Sequence, residues 1–150
     1  MKKLSTCPTC GSVVDHKSDS RHTIEIIDRE ILENVFVTAL EGGSNYWYYL
    51  GDEAVLKIRE AVPRDEDSCL STAMFKAVYD HNVSVDIRDV EDQSEVLGTI
   101  SMDTMLDRLT ALSCDSVYCH HLEVEVDECG DAESSDVVFQ YIVLGEVVYG

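Results

Sequence analysis

Basic residues are scarce in this chain. Eleven Lys and Arg stand against 30 Asp and Glu in 150 residues, a formal charge of −19. Five of the eleven precede Glu30, so Glu30 to Gly150 holds six basic against 26 acidic groups, and no Lys or Arg follows Arg108. That shortage argues against direct binding to a nucleic-acid backbone, where Lys and Arg must displace counterions from phosphates. It equally argues against docking on anionic membranes. It suits basic surfaces, including those by which other proteins hold nucleic acid, and it also serves solubility alone.

Long apolar runs are missing too. The opening "MKKLSTCPTCGSVV" has two lysines but no apolar stretch of about 7–15 residues behind them, so no secretory signal is expected. The most apolar segment, "VVFQYIVLGEVVYG", is broken by Gln140, Gly145 and Glu146, short of the roughly 18 residues a membrane span needs. A cytoplasmic location follows as the expectation, with the six cysteines as reduced thiols or metal ligands rather than three disulfides. Catalytic signatures are absent as well: no phosphate-cradling glycine loop, no His-Glu-x-x-His helix, no nucleophile elbow. Cys114, Cys119, His120 and His121 place thiols beside imidazoles without a group to orient a base, and the carboxylates are too numerous to single out an acid and base pair. The expectation is a protein that is not an enzyme.

What is present is clear patterning. A globule of 150 residues can bury about 68–70% of its unfolded surface; residues 1–22 are polar and lack apolar periodicity, whereas 23–150 read as a single acidic domain. In "DREILENVFVTAL", Ile31, Leu32, Val35, Phe36, Ala39 and Leu40 share a helical stripe, with Asp28 as cap and Gly42 as a left-handed stop. "NYWYYL" reads as strand or extended, "GDEAVLKIREAV" is ambiguous between strand and short helix, and "PRDED" is a turn. A helix is expected from Asp67 or Ser68 to Asp80, a hairpin over Val83 to Ile100, and a helix from Met102 to Leu112 capped by Ser101. "HLEVEVDE" alternates like a strand. In "DAESSDVVFQYIVLGEVVYG" β-branched residues favour strand, but a cap at Asp131 or Ser134 and a stop at Gly145 favour a buried helix followed by a short strand. The sum is an α+β fold of three or four helices on a small, mainly antiparallel sheet.

Three sets of residues are candidates for function. Cys7 and Cys10 in "CPTCG" resemble half of a zinc ribbon, which His16 and His22, or Cys114, Cys119, His120 and His121, would complete to four ligands; the alternative is reduced, exposed thiols. Read as a strand, Glu123, Glu125 and Asp127 repeat at about 6.6 Å, an anionic row sparser than DNA phosphates but of the same sign. Clusters at Asp65, Glu66, Asp67 and at Asp89, Glu91, Asp92, Glu95 extend it, or are simply solvated turns. Gly42, Gly43, Asn45, Tyr46, Trp47 and Tyr48 make a possible ligand platform, although Trp47, the only tryptophan, is more naturally a core anchor.

Two blocks also carry a resemblance. "VTALEGGSNYWYYL" and "AESSDVVFQYIVLGEVVYG" resemble a family of short, acidic phage and prophage proteins, in which a helix ends in Glu-Gly-Gly-x-x-Tyr-Trp and the chain closes on Asp-x-Val-x-Gln-Tyr, an apolar run, and Gly-Glu-x-Val-Tyr-Gly. The matching positions are Glu41, Gly42, Gly43, Tyr46 and Trp47, then Asp136, Val138, Gln140, Tyr141, Gly145, Glu146, Val148, Tyr149 and Gly150; "CPTCG" lies outside the pattern. The resemblance implies a helix in the closing block and interference with a bacterial host. Three functions stay open: an anti-CRISPR-like acidic inhibitor that mimics DNA on a basic defence protein, a sponge that stacks a nucleotide signal on the aromatics, and a structural or regulatory phage protein whose aromatics build core or a homodimer interface.

Overall fold

Asp28 opens the fold as a helix cap, its carboxylate accepting the Glu30 N–H at 2.9 Å. The computed structural model describes residues 28–150. Helix α1, Arg29–Thr38, buries Ile31, Leu32, Val35 and Phe36, and the stripe continues through Ala39 and Leu40 as expected. Its end differs from expectation. Gly42 is not left-handed; the helix widens into a π-helical turn, Ala39–Gly43, closed by the Ser44 N–H on the Ala39 carbonyl at 2.8 Å. The glycine that matters sterically is Gly43, where a Cβ would lie 2.8 Å from the Ala132 carbonyl oxygen.

Strand β1 is only Tyr48–Tyr49. The ambiguous stretch after it is a helix, α2, Asp52–Ala61, with acid in its first turn, Arg59 in its last, and Ala54 and Ile58 inward. Helix α3, Leu70–Tyr79, buries Ala73, Met74, Phe75, Ala77 and Val78. The hairpin forms as expected from β2, Val85–Asp89, and β3, Val96–Ile100. The sheet order is β1-β2-β3, antiparallel throughout, with Val85 opposite Ile100, Ile87 opposite Gly98, and an irregularity between Ile87 and Arg88.

Ser101 and Thr104 form a reciprocal capping box on α4, Met102–Ser113, whose Met105, Leu106, Leu109 and Leu112 are buried. "HLEVEVDE" corrects the sequence expectation: it belongs to helix α5, Cys119–Val126, not to a strand. Asp115 starts the turn by accepting the Val117 and Tyr118 N–H groups at 2.8 and 2.9 Å, and Leu122 and Val126, one helical turn apart, face the core. Helix α6, Ala132–Leu144, opens on an Asp131–Ser134 capping box and ends at Gly145 with φ 79. Every residue from Ser134 to Val143 is buried, which is why no amphipathic period marks it. The short strand expected after it does not form among the described residues; the tail is held by side chains instead.

Among the described residues six α-helices and a three-stranded sheet make an α+β fold, the two helices beyond the expected count being α2 and α5. The core centres on Phe36, Trp47, Phe75 and Phe139, with edge-on ring contacts of 5.2 Å between Phe36 and Phe75 and 5.7 Å between Phe36 and Phe139. Helix α6 lies directly on β3. At Gly98 a Cβ would sit 2.3 Å from the Val143 carbonyl oxygen, so Gly98→Ala must push helix from strand and should cost about 1–3 kcal/mol. An unchanged urea midpoint for that variant would contradict the close packing. Among the described residues no helix is long and apolar enough to cross a membrane.

Candidate functional site

Asp136 joins the two sequence blocks that carry the resemblance. Its Oδ1 accepts from Ser44 Oγ at 2.6 Å and Trp47 Nε1 at 2.8 Å, and its Oδ2 accepts from the Tyr46 hydroxyl at 2.6 Å and Gln140 Nε2 at 3.0 Å. Two donors on each oxygen fill the acceptor sites of a carboxylate. Gln140 then fixes the tail: Nε2 also donates to the Tyr149 carbonyl, and Oε1 accepts the Val148 and Tyr149 N–H groups, all at 2.9 Å. The Tyr149 ring stacks on Trp47 with centroids 5.3 Å apart and planes 8° from parallel. The motif is first a lock between the π turn, α6 and the tail.

Beside that lock is a cleft of about 620 Å³. Gly42, Gly43 and Tyr46 form one wall, Tyr118 and His121 of the α5 region another, Ala132, Glu133 and Val137 of α6 a third, and Val147 to Gly150 the last. Of the expected platform, Gly42, Gly43 and Tyr46 do meet at this site. Trp47 is 1% exposed and packs behind it, Tyr48 donates to the Leu40 carbonyl and touches Phe139, and Asn45 is exposed outside the lining. No Lys or Arg lines the cleft; Glu133 and Asp136 do. His121 is held below the usual imidazole range by burial and by neighbouring His120, against the pull of Glu133, Asp131 and Glu125.

The anionic row expected from Glu123, Glu125 and Asp127 does not exist. On a helix Glu125 turns about 200° away from Glu123. It is 7% exposed and accepts from Ser134 Oγ and Ser135 Oγ, each at 2.7 Å. Asp127 is exposed at the helix end and Glu123 is half-buried. The other clusters remain outward. Asp65 and Glu66 are exposed, whereas Asp67 pairs with Lys76 at 3.0 Å. Asp89 builds the hairpin turn by accepting the Glu91 N–H at 2.7 Å and the Asp92 N–H at 3.3 Å, and Asp92 accepts the Ser94 hydroxyl at 2.6 Å. Burial and then the charges of Asp89, Glu95 and Glu91 raise the Tyr149 phenol; Asp89 lies opposite Tyr48 in the sheet, next to the Trp47 on which Tyr149 stacks.

Cys7, Cys10, His16 and His22 lie outside the described residues. Among the described residues no group of three or more His, Cys, Asp or Glu could hold a metal. His120 and His121 sit with ring centroids 4.0 Å apart, and His120 Nδ1 is 3.1 Å from the Val117 carbonyl oxygen.

Comparison with protein-family models, curated proteins and solved structures finds no match. The sequence points to Gly42, Gly43 and Tyr46, and to His121 only as a thiol neighbour or metal ligand; Tyr118 and Glu133 carry no sequence signal, because their place at the cleft depends on how the α5 region packs against α6.

The tyrosines give the site a pH signature. Burial, then hydrogen bonding to Asp136 and Asp115 respectively, raises Tyr46 and Tyr141 well above the ordinary phenol range; Tyr48 is raised by burial and by Glu41. Unfolded phenols ionise near pH ~10. Because the native state favours the neutral form, this contribution to stability is complete below that pH and is lost as pH rises beyond it. The urea midpoint should fall between about pH 9 and 11, and the double substitution Tyr46→Phe, Tyr141→Phe should flatten the fall. A wild-type profile that is already flat would contradict the burial of these hydroxyls.

Proposed function

We propose that this protein is a non-enzymatic inhibitor whose acidic body occupies the basic nucleic-acid-binding surface of a bacterial defence protein, a DNA mimic of the anti-CRISPR type. The division of charge in the fold is the observation that carries this reading. Among the described residues most cations are turned onto the fold itself: Arg29 pairs with Asp80 at 2.7 Å and Glu33 at 3.1 Å, Lys76 pairs with Asp67, Arg59 donates to the Asp67 and Ser68 carbonyls, and Arg88 donates to the Gln93 and Ser94 carbonyls, while Lys57 and Arg64 are exposed. Arg108 packs over Gly145 at the C-terminal end of α6, where a cation complements the helix dipole. The carboxylates at Asp65, Glu66, Glu91, Asp92 and Glu95 stay exposed. The resemblance to phage proteins supplies the host setting.

Nucleotide capture draws no support from the cleft, which offers a phosphate two carboxylates and no cation. A panel of cyclic and linear nucleotides should therefore leave the thermal midpoint unchanged, and stabilisation by any member would revive that reading. Complementary charge makes the proposed complex sensitive to salt. Its affinity should fall steeply as salt rises, and persistence at about 1 M, where the screening length is near 3 Å, would contradict the proposal.

A further inference from the structure

We propose that the cleft beside Asp136 receives an arginine side chain of the partner, an inference that rests on the inhibitor reading and names what this cleft binds. The cleft has the size of a pocket for a small group, about 620 Å³. Its walls offer the faces and edges of Tyr46, Tyr118 and Tyr149 with Val147 and Val148. Such aromatic surface holds a planar, weakly hydrated guanidinium better than a compact ammonium.

Charge complementarity selects the guest. Asp136 already accepts four donors, so it lends negative potential to the floor without offering a free acceptor. Glu133, exposed on the cleft wall, has no ion-pair partner among the described residues and is the carboxylate that can meet a guanidinium. His121, depressed by burial, leaves the opposite wall uncharged near neutral pH. No lining residue carries a positive charge to repel the guest.

The surface around the cleft is shaped for contact. Of the large apolar side chains exposed among the described residues, Tyr46 at 49% and Val148 at 58% line it, and Val117 at 63% adjoins Tyr118. Exposed apolar groups gathered at one concavity mark an interaction site. Asp89 of the hairpin, opposite Tyr48 in the sheet and next to the Trp47 on which Tyr149 stacks, extends negative charge from the same wall as a rim. An arginine flanked by further basic residues, as on a nucleic-acid-binding surface, matches both the pocket and the rim.

The test is an amide NMR titration of the full chain with the blocked tripeptide Gly-Arg-Gly and with its citrulline and lysine counterparts. The arginine peptide should shift the Gly42, Gly43, Glu133 and Tyr149 signals. Citrulline, the neutral isostere, should bind about fivefold more weakly or less, the scale of one exposed ion pair. Glu133→Gln should weaken arginine binding to a similar degree while leaving the thermal midpoint in place. Equal response to citrulline or lysine, signals shifted elsewhere, or indifference to Glu133→Gln would overturn the proposal. Failure here and failure of the inhibitor reading separate cleanly. A DNA-displaceable partner that binds Glu133→Gln as tightly as wild type removes the arginine pocket and keeps the inhibitor; an arginine-selective cleft without such a partner does the reverse.

Discussion

Asp136→Ala is expected to remove about 3–5 kcal/mol of unfolding free energy, a large share of the ~5–15 kcal/mol typical of a domain. The carboxylate is 7% exposed and holds donors from Ser44, Tyr46, Trp47 and Gln140. Alanine removes this acceptor from all four at once and leaves Gln140 Nε2 only the Tyr149 carbonyl. Trp47 and Gln140, at 1% and 0% exposure, have no water to turn to. Each stranded donor costs about 1–3 kcal/mol, offset in part by relaxation. Asp136→Asn should fall between, since one amide oxygen still accepts while the NH2 group faces donors. Urea unfolding followed by Trp47 fluorescence reads both variants, and a loss below about 1 kcal/mol for alanine would mean the network is not a lock.

Phe139→Ala should cost a similar amount, about 3–5 kcal/mol, through a different cause. Phe139 is fully buried on α6 and touches Phe36, Trp47 at 5.7 Å and Tyr48 at 6.0 Å. Those partners come from α1 and the segment after the π turn, so the ring joins the N-terminal helix to the aromatic block. Removing it leaves a cavity lined by rigid rings that cannot collapse. Phe139→Leu should recover more than half of the loss because it refills most of the volume. If alanine and leucine prove equally mild in urea unfolding, the aromatic centre does not organise the fold.

The pattern of what the sequence revealed follows from where each element sits. Helices α1 and α4 have one wet face, so their apolar stripes and their caps at Asp28 and Ser101 were legible. The hairpin was legible for the same reason, with Val85 and Ile87 buried between more exposed neighbours. Helix α5 misled because alternating Leu, Glu and Val satisfy a period of two as well as an i, i+4 pair. Only the turn set by Asp115 and the burial of Glu125 under Ser134 and Ser135 decide for helix. The π turn was invisible because its cause is remote: Gly43 must pass the Ala132 carbonyl, and Ser44 must reach Asp136, 92 positions along the chain.

The site was half legible. Composition pointed to glycines and rings, but their grouping depends on which ring Asp136 captures. Tyr46 keeps a 49% exposed side toward the cleft while its hydroxyl is bound, and Trp47 turns inward. The acidic clusters were legible as charge and not as surface: one member, Glu125, became core, and Asp67 gained a lysine.

The most direct test of the inhibitor reading is competition in a bacterial host lysate. Tagged full-length protein should retain a basic nucleic-acid-binding protein, identified by mass spectrometry, and added duplex DNA should release it. Retention that DNA leaves untouched, or a partner without a basic nucleic-acid surface, would contradict the account.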